Sequence, residues 1–168
     1  MNMDGKANTS AFNRVGTMLV FLQGQDQRGL HGSIVNGFLK ESVAFHGIDD
    51  LILSLDEICD WINCPRRVSE PRFLNRQMKK SFEESPVQKP EINNENRLLG
   101  MDLESYIQTF RAKDVLMITI EYRQNASLQG SVCGKITGEQ RVSFRSALEL
   151  MRLFSQISLT EPEDGQEE

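Results

Sequence analysis

The sequence is short of cysteine, histidine, long apolar runs and positive charge, and each shortage removes a class of protein. Cys59, Cys64 and Cys133 are its three cysteines, an odd set too sparse for a disulfide framework, so reduced thiols are expected. Cys59 and Cys64, with only His31 and His46 elsewhere, match no zinc-ligand spacing; no metal or cofactor is expected, and Cys59 reads as a small hydrophobe at a helix end. No apolar run approaches the roughly 18 residues that span a bilayer, and the opening segment MNMDGKANTSAFNR lacks the apolar core of a signal peptide, so a cytoplasmic protein without membrane contact is expected. The 19 Lys and Arg residues are outnumbered by 24 Asp and Glu, for a net charge of −5. That balance argues against bulk attraction to nucleic acid or acidic membranes, so a basic site would have to be local. Gly24, Gly29 and Gly32 fall at hairpin positions rather than between a strand and a helix, which excludes a glycine-rich phosphate loop.

What the chain does have is clearest from Met117 to Ile157. Leu116, Ile118, Ile120 and Tyr122 alternate with Met117, Thr119 and Glu121, the period of a strand with one committed face. The polar stretch Arg123–Ser127 breaks the alternation, and Leu128, Gly130 and Val132 resume it, which predicts a hairpin. A turn over Gly134–Gly138 leads to Val142-Ser-Phe144, after which Ala147, Leu150, Met151, Phe154 and Ile157 follow helical spacing. Ser146 three residues before Glu149 predicts a capped helix start.

The same pattern occurs earlier. Met18–Ile58 can be laid on Leu116–Ile157 with an offset of 98 residues through the first hairpin and 99 after one inserted residue. Leu30-His-Gly-Ser-Ile34 then falls on Leu128-Gln-Gly-Ser-Val132, Phe45 on Phe144, and Leu51, Ile52, Leu55 and Ile58 on Leu150, Met151, Phe154 and Ile157. Gly47 takes the place of Ser146, and Asp49 and Asp50 add favourable charge to the first helical turn. The predicted fold class is α+β: two βββα repeats, antiparallel sheets each covered by a helix, packed pseudo-symmetrically. Leu19 and Phe21 make the first strand apolar on both faces, so it should be central or contact a partner.

The expected layout is a disordered segment 1–16, a first βββα unit 17–62, a connector 63–100, a helix plus second unit 101–159, and an acidic tail 160–168. The connector is expected to be mostly irregular, basic first and acidic after. Leu103, Tyr106, Ile107 and Phe110 behind Asp102 predict a short helix beneath the second sheet.

Two places could recognise a partner. Arg66, Arg67, Arg72, Arg76, Lys79 and Lys80, with Phe73 among them, offer guanidinium and ammonium donors to phosphates or to an acidic protein surface. The turn after the fourth strand presents Arg123, Gln124, Asn125 and Gln129 at a rigid sheet end, although Asn125 also suits a turn for local reasons. Neither histidine stands in a nucleophile or acid–base arrangement, so no catalytic residue and no enzymatic activity is expected; an enzyme would need a pocket joining His31 or His46 to carboxylates.

Arg72-Phe-Leu-Asn-Arg76 with Asn125-Ala-Ser-Leu-Gln-Gly130 resembles the RxxxR and [DN]xSxxG pair of PilZ domains, which implies cyclic-dinucleotide binding, though about fifty residues separate the two. Tyr122-Arg-Gln-Asn-Ala-Ser-Leu-Gln-Gly130 with Phe144-Arg-Ser-Ala-Leu-Glu-Leu150 resembles a group of small proteins from Gram-positive gut bacteria and their mobile elements. Gly32-Ser-Ile, Cys59-Asp-Trp61 and Glu70-Pro-Arg-Phe73 extend that resemblance over most of the chain. It implies no catalytic residues, and by analogy with anti-CRISPR proteins it implies an inhibitor or adaptor docking on a host protein or protein–RNA complex, such as an RNA-guided nuclease. The alternative is a nucleic-acid or cyclic-dinucleotide binding module.

Overall fold

The computed structural model describes residues 14–84 and 90–159; most of the segment 1–16 and all of the tail 160–168 expected to be unstructured lie outside them. Along the chain run β1 (Thr17–Asp26), β2 (Gly29–Asn36), β3 (Val43–His46), α1 (Ile48–Trp61), α2 (Arg76–Glu84), a 3-10 turn (Arg97–Gly100) and α3 (Leu103–Phe110). There follow β4 (Asp114–Tyr122), β5 (Gln129–Gly134), a second 3-10 turn (Lys135–Thr137), β6 (Val142–Phe144) and α4 (Ala147–Phe154). The protein is α+β, as the change of period predicts.

The strands form one antiparallel sheet in the order β3-β2-β1-β4-β5-β6, where two smaller sheets were expected. The join is the β1–β4 pair, in which Leu19 faces Met117 and Val20 faces Leu116. Strand β1 is therefore central, and its two apolar faces are both buried. The outer ladders keep one register: Met18 opposite Asn36 through Leu22 opposite Gly32, and Leu116 opposite Gly134 through Ile120 opposite Gly130. Each then slips by one residue at the corresponding place, so that Gly24 faces His31 and Tyr122 faces Gln129.

On one face, α1 and α4 cover Met18, Val20, Leu22, Ile34, Leu116, Ile118, Ile120 and Val132 with Leu51, Leu55, Ile58, Leu150 and Phe154. The helix starts behave as read: the Ser146 hydroxyl accepts from Glu149 N–H at 3.2 Å, and Gly47, at φ 97°, opens α1. On the other face a smaller core joins Leu19, Phe21, Val35, Leu98 and Val115 to Tyr106, Ile107 and Phe110 of α3. The Phe110 and Tyr106 rings lie 4.8 and 6.1 Å from that of Phe21. Helix α3 therefore rests where the two groups of strands join, on Leu19 and Phe21 of β1 and on Val115 and Met117 of β4, rather than beneath the second group alone. Among the described residues no helix is long and apolar enough to cross a membrane.

Candidate functional site

The end of β4 and the segment after α1 meet in an ion cluster. Asp56 and Asp60 stand one turn apart on α1, so their carboxylates share a face. Between them lies the Arg123 guanidinium, 3% exposed, with Nε donating to Asp56 at 3.0 Å and Nη2 to Asp60 at 2.5 Å. Its third nitrogen donates to the Pro65 carbonyl at 3.2 Å. Arg67 closes the cluster from the solvent side, with Nη2 at 2.9 Å from Asp56 and 2.6 Å from Asp60. Burial opposes the charge on Arg123, but the Asp60 hydrogen bond and the field of both carboxylates outweigh it and hold its pKa above the ordinary arginine value. Beside them Cys59 is buried deeply enough for its thiol to be pushed up to about 12, so it stays protonated at neutral pH.

Two of the predicted recognition residues lie in this cluster: Arg123 is buried and Arg67 is partly exposed, and both guanidinium groups are paired with the α1 carboxylates. The hairpin beyond Arg123 is likewise engaged. Gln124 N–H donates to Gln129 Oε1 and Gln129 Nε2 donates to the Gln124 carbonyl, both at 2.9 Å. Asn125 and Ala126 both sit at φ 53°, and Ser127 N–H closes the turn on the Gln124 carbonyl. The Ser127 hydroxyl accepts from Ala147 N–H at 2.8 Å, tying the turn to the start of α4. Gln124 and Asn125 are exposed, and neither side chain makes a hydrogen bond among the described residues.

The rest of the basic set lies on an arm. Val68 N–H donates to the Arg123 carbonyl, pinning the start of the arm to the end of β4. From there the chain runs outward to α2, whose start is capped by the Asn75 side chain accepting from Met78 N–H at 2.9 Å. No residue of α2 is buried. Leu74, Met78 and Phe82 nevertheless recur at four-residue spacing, one face of a helix, and stay 91%, 49% and 55% exposed. The Phe73 ring lies against that of Phe82, tilted by 47° with centroids 5.1 Å apart. Lys79 and Lys80 reach Glu83 and Glu84 at 3.7 Å in exposed pairs of little energy. Arg66, Arg72 and Arg76 are exposed and make no ion pair among the described residues.

Sequence reasoning missed α2, which it placed within an irregular connector, and with it the apolar stripe; the signals were the Asn75 cap and the spacing of Leu74, Met78 and Phe82. It also missed a histidine pair. His31 and His46 face each other across β2 and β3 with ring centres 5.3 Å apart. His46 Nε2 lies 2.9 Å from Asp26, whose carboxyl is held below its usual range first by that contact and then by Arg28 N–H. Among the described residues no three His, Cys, Asp or Glu side chains are grouped to hold a metal ion. Compared with family models, curated proteins and solved structures, the chain matches none of them.

Proposed function

We propose that the protein works by binding: it is a non-enzymatic inhibitor or adaptor that docks on a partner protein or protein–RNA complex through the arm 66–84. One observation carries this reading. Helix α2 supports no part of the core, yet it holds an exposed apolar stripe beside Arg66, Arg72 and Arg76. A free helix of nine residues is marginal in water, and an apolar stripe gains nothing until it is covered. Aromatic, Met and Arg side chains together are the composition of an interface centre. The resemblance to proteins of mobile elements favours a host target, of which an RNA-guided nuclease is one.

The test is recovery of partners from bacterial lysate with the intact protein, with Leu74→Asp/Phe82→Asp, and with Arg66→Ala/Arg72→Ala/Arg76→Ala, each with and without nuclease. A defined protein that survives nuclease and is lost with either variant supports the reading; equal recovery by all three proteins sinks it. Recovery that nuclease abolishes, with affinity falling steeply with salt, supports instead the second reading, in which the three exposed arginines bind nucleic acid or a cyclic dinucleotide directly.

We also infer that residues 17–61 and 114–157 are two copies of one βββα unit joined about the Leu19–Met117 pair. Equal register in both outer ladders and the equal position of the slip support this.

A further inference from the structure

Between β4, β5, β6 and the chain at the end of α4 lies a cavity of about 190 Å³. Leu116, Val132, Val142, Leu153, Phe154 and Ile157 wall it, and half-exposed Ile136 stands at its rim. Leu116, Val132, Phe154 and Ile157 are buried, as are their counterparts Met18, Ile34, Leu55 and Ile58 in the other half, and Val142 is half-buried like its counterpart Val43. The two halves differ here at the residue that follows the second strand. Leu39 follows three residues after Asn36, which faces Met18; Thr137 follows three residues after Gly134, which faces Leu116. Leu39 is fully buried in the core on this face, and its strand-end turn is covered by residues 91–97. Thr137 instead turns its hydroxyl to the backbone, accepting from Gly134 N–H at 3.1 Å within reach of the Gly134 and Gln140 carbonyls. It is held there and leaves the apolar space without an internal side chain.

We propose that this cavity is a binding site for a small free hydrocarbon-bearing molecule whose apolar part takes the place that Leu39 fills in the first half. A dry apolar cavity of roughly 150 Å³ accepts benzene, so the ligand is about that size or a few carbons longer. The walls carry no charge, and the polar end of such a molecule would face the solvent beside Ile136. This site is independent of the arm and of the reading built on it.

The probes are 1-hexanol and cyclohexanol, titrated while the methyl resonances of Ile136, Val142, Leu153 and Ile157 are followed by NMR, with glycerol as a polar control. Saturable shifts at these methyls with both alcohols and none with glycerol are expected. Thr137→Leu, which restores the residue of the first half, and Leu153→Trp, which fills the space from the helix side, should each weaken binding at least tenfold. Two fillings from opposite walls keep the test decisive if one variant does not fold. Absence of saturable shifts in the natural protein, or unchanged binding by a folded filled variant, overturns the proposal.

Discussion

The two halves of the sheet share a ladder register and the place where it slips, and they differ in what ties them to the helices. At the end of β4, Arg123 bridges to Asp56 and Asp60 of α1. At the end of β1 the corresponding residue is Gln25, whose side-chain oxygen accepts one hydrogen bond, from Leu159 N–H at 3.1 Å. Leu159 is itself the counterpart of Asp60, so the same two places touch in both halves, once through four charged groups and once through one amide. Helix α1 runs 14 residues where α4 runs 8, and Leu39 is matched by Thr137 beside a cavity. What the halves keep is what the backbone demands; what they vary is how each seam is closed.

The shared part predicts the largest effect. The slip after Leu22 and after Ile120 brings a neighbouring backbone over a glycine in each half: a Cβ on Gly32 would stand 2.0 Å from the Phe21 carbonyl oxygen, and one on Gly130 2.0 Å from that of Thr119. Neither contact can be relieved by rotating a side chain. Gly32→Ala and Gly130→Ala should each cost about 3 kcal/mol or more in urea unfolding. Equal losses mark the slip as a common requirement; a tolerated alanine in one half breaks the comparison there.

The seams predict the next effect, and it is unequal. Arg123→Ala leaves Asp56 and Asp60 facing each other with only Arg67 between them, and should cost about 2–3 kcal/mol, a buried-pair loss reduced because both carboxylates reach solvent. Gln25→Ala removes one exposed hydrogen bond and should cost about 0.5 kcal/mol. Similar losses at the two sites would mean that the ion cluster adds nothing beyond its geometry.

How much of this was legible depends on distance along the chain. Elements read well because alternation and helical spacing are local: the β4–β5 hairpin and the Ser146 start of α4 each lie in a short window. The single sheet did not, because the β1–β4 pair joins residues about 98 apart and only the two apolar faces of β1 hinted at it. Arg123 misled because an arginine beside a turn looks solvated. Its signal was remote, in Asp56 and Asp60 placed four apart on the polar side of another element. Helix α2 was hidden by prolines and charge on either side of it, and because it buries nothing, core patterning could not reveal it.

Cys59 supplies a test by pH. Its thiol is raised from an ordinary value near 9.0 to about 12, first by burial. A raised pKa favours the fold below the unfolded value and loses that contribution as pH rises toward the folded one. Between pH 8 and pH 10 the natural protein should therefore lose on the order of 1 kcal/mol that Cys59→Ala does not lose, the variant being less stable at pH 8 but flatter above it. The matching position in the second half is exposed Ser158, which has no such titration. Parallel pH curves for the two proteins would place the loss elsewhere.

The smallest predicted effect separates two helix starts that look interchangeable in sequence. Ser146 opens α4 at φ −155°, an extended backbone open to any residue, and contributes its hydroxyl to Glu149 N–H. Glycine there loses that bond but keeps an acceptable cap, so Ser146→Gly should cost only a few tenths of a kcal/mol, against about 1 kcal/mol for Ser146→Ala. Gly47 opens α1 at φ 97°, and a Cβ there would stand 2.6 Å from the Asp49 carboxylate. The reverse exchange, Gly47→Ser, should therefore cost about 1–2 kcal/mol even though serine is the better cap, because the strained backbone outweighs the gained hydrogen bond. Urea midpoints of the two variants decide it. If the exchanges cost the same, the two starts are equivalent and Gly47 is a matter of capping alone; if Gly47→Ser costs more, the first half uses glycine for its turn, since the acidic side chain of the first helical turn behaves alike in both: Asp50 accepts from His46 N–H at 2.9 Å and Glu149 from Arg145 N–H at 2.7 Å.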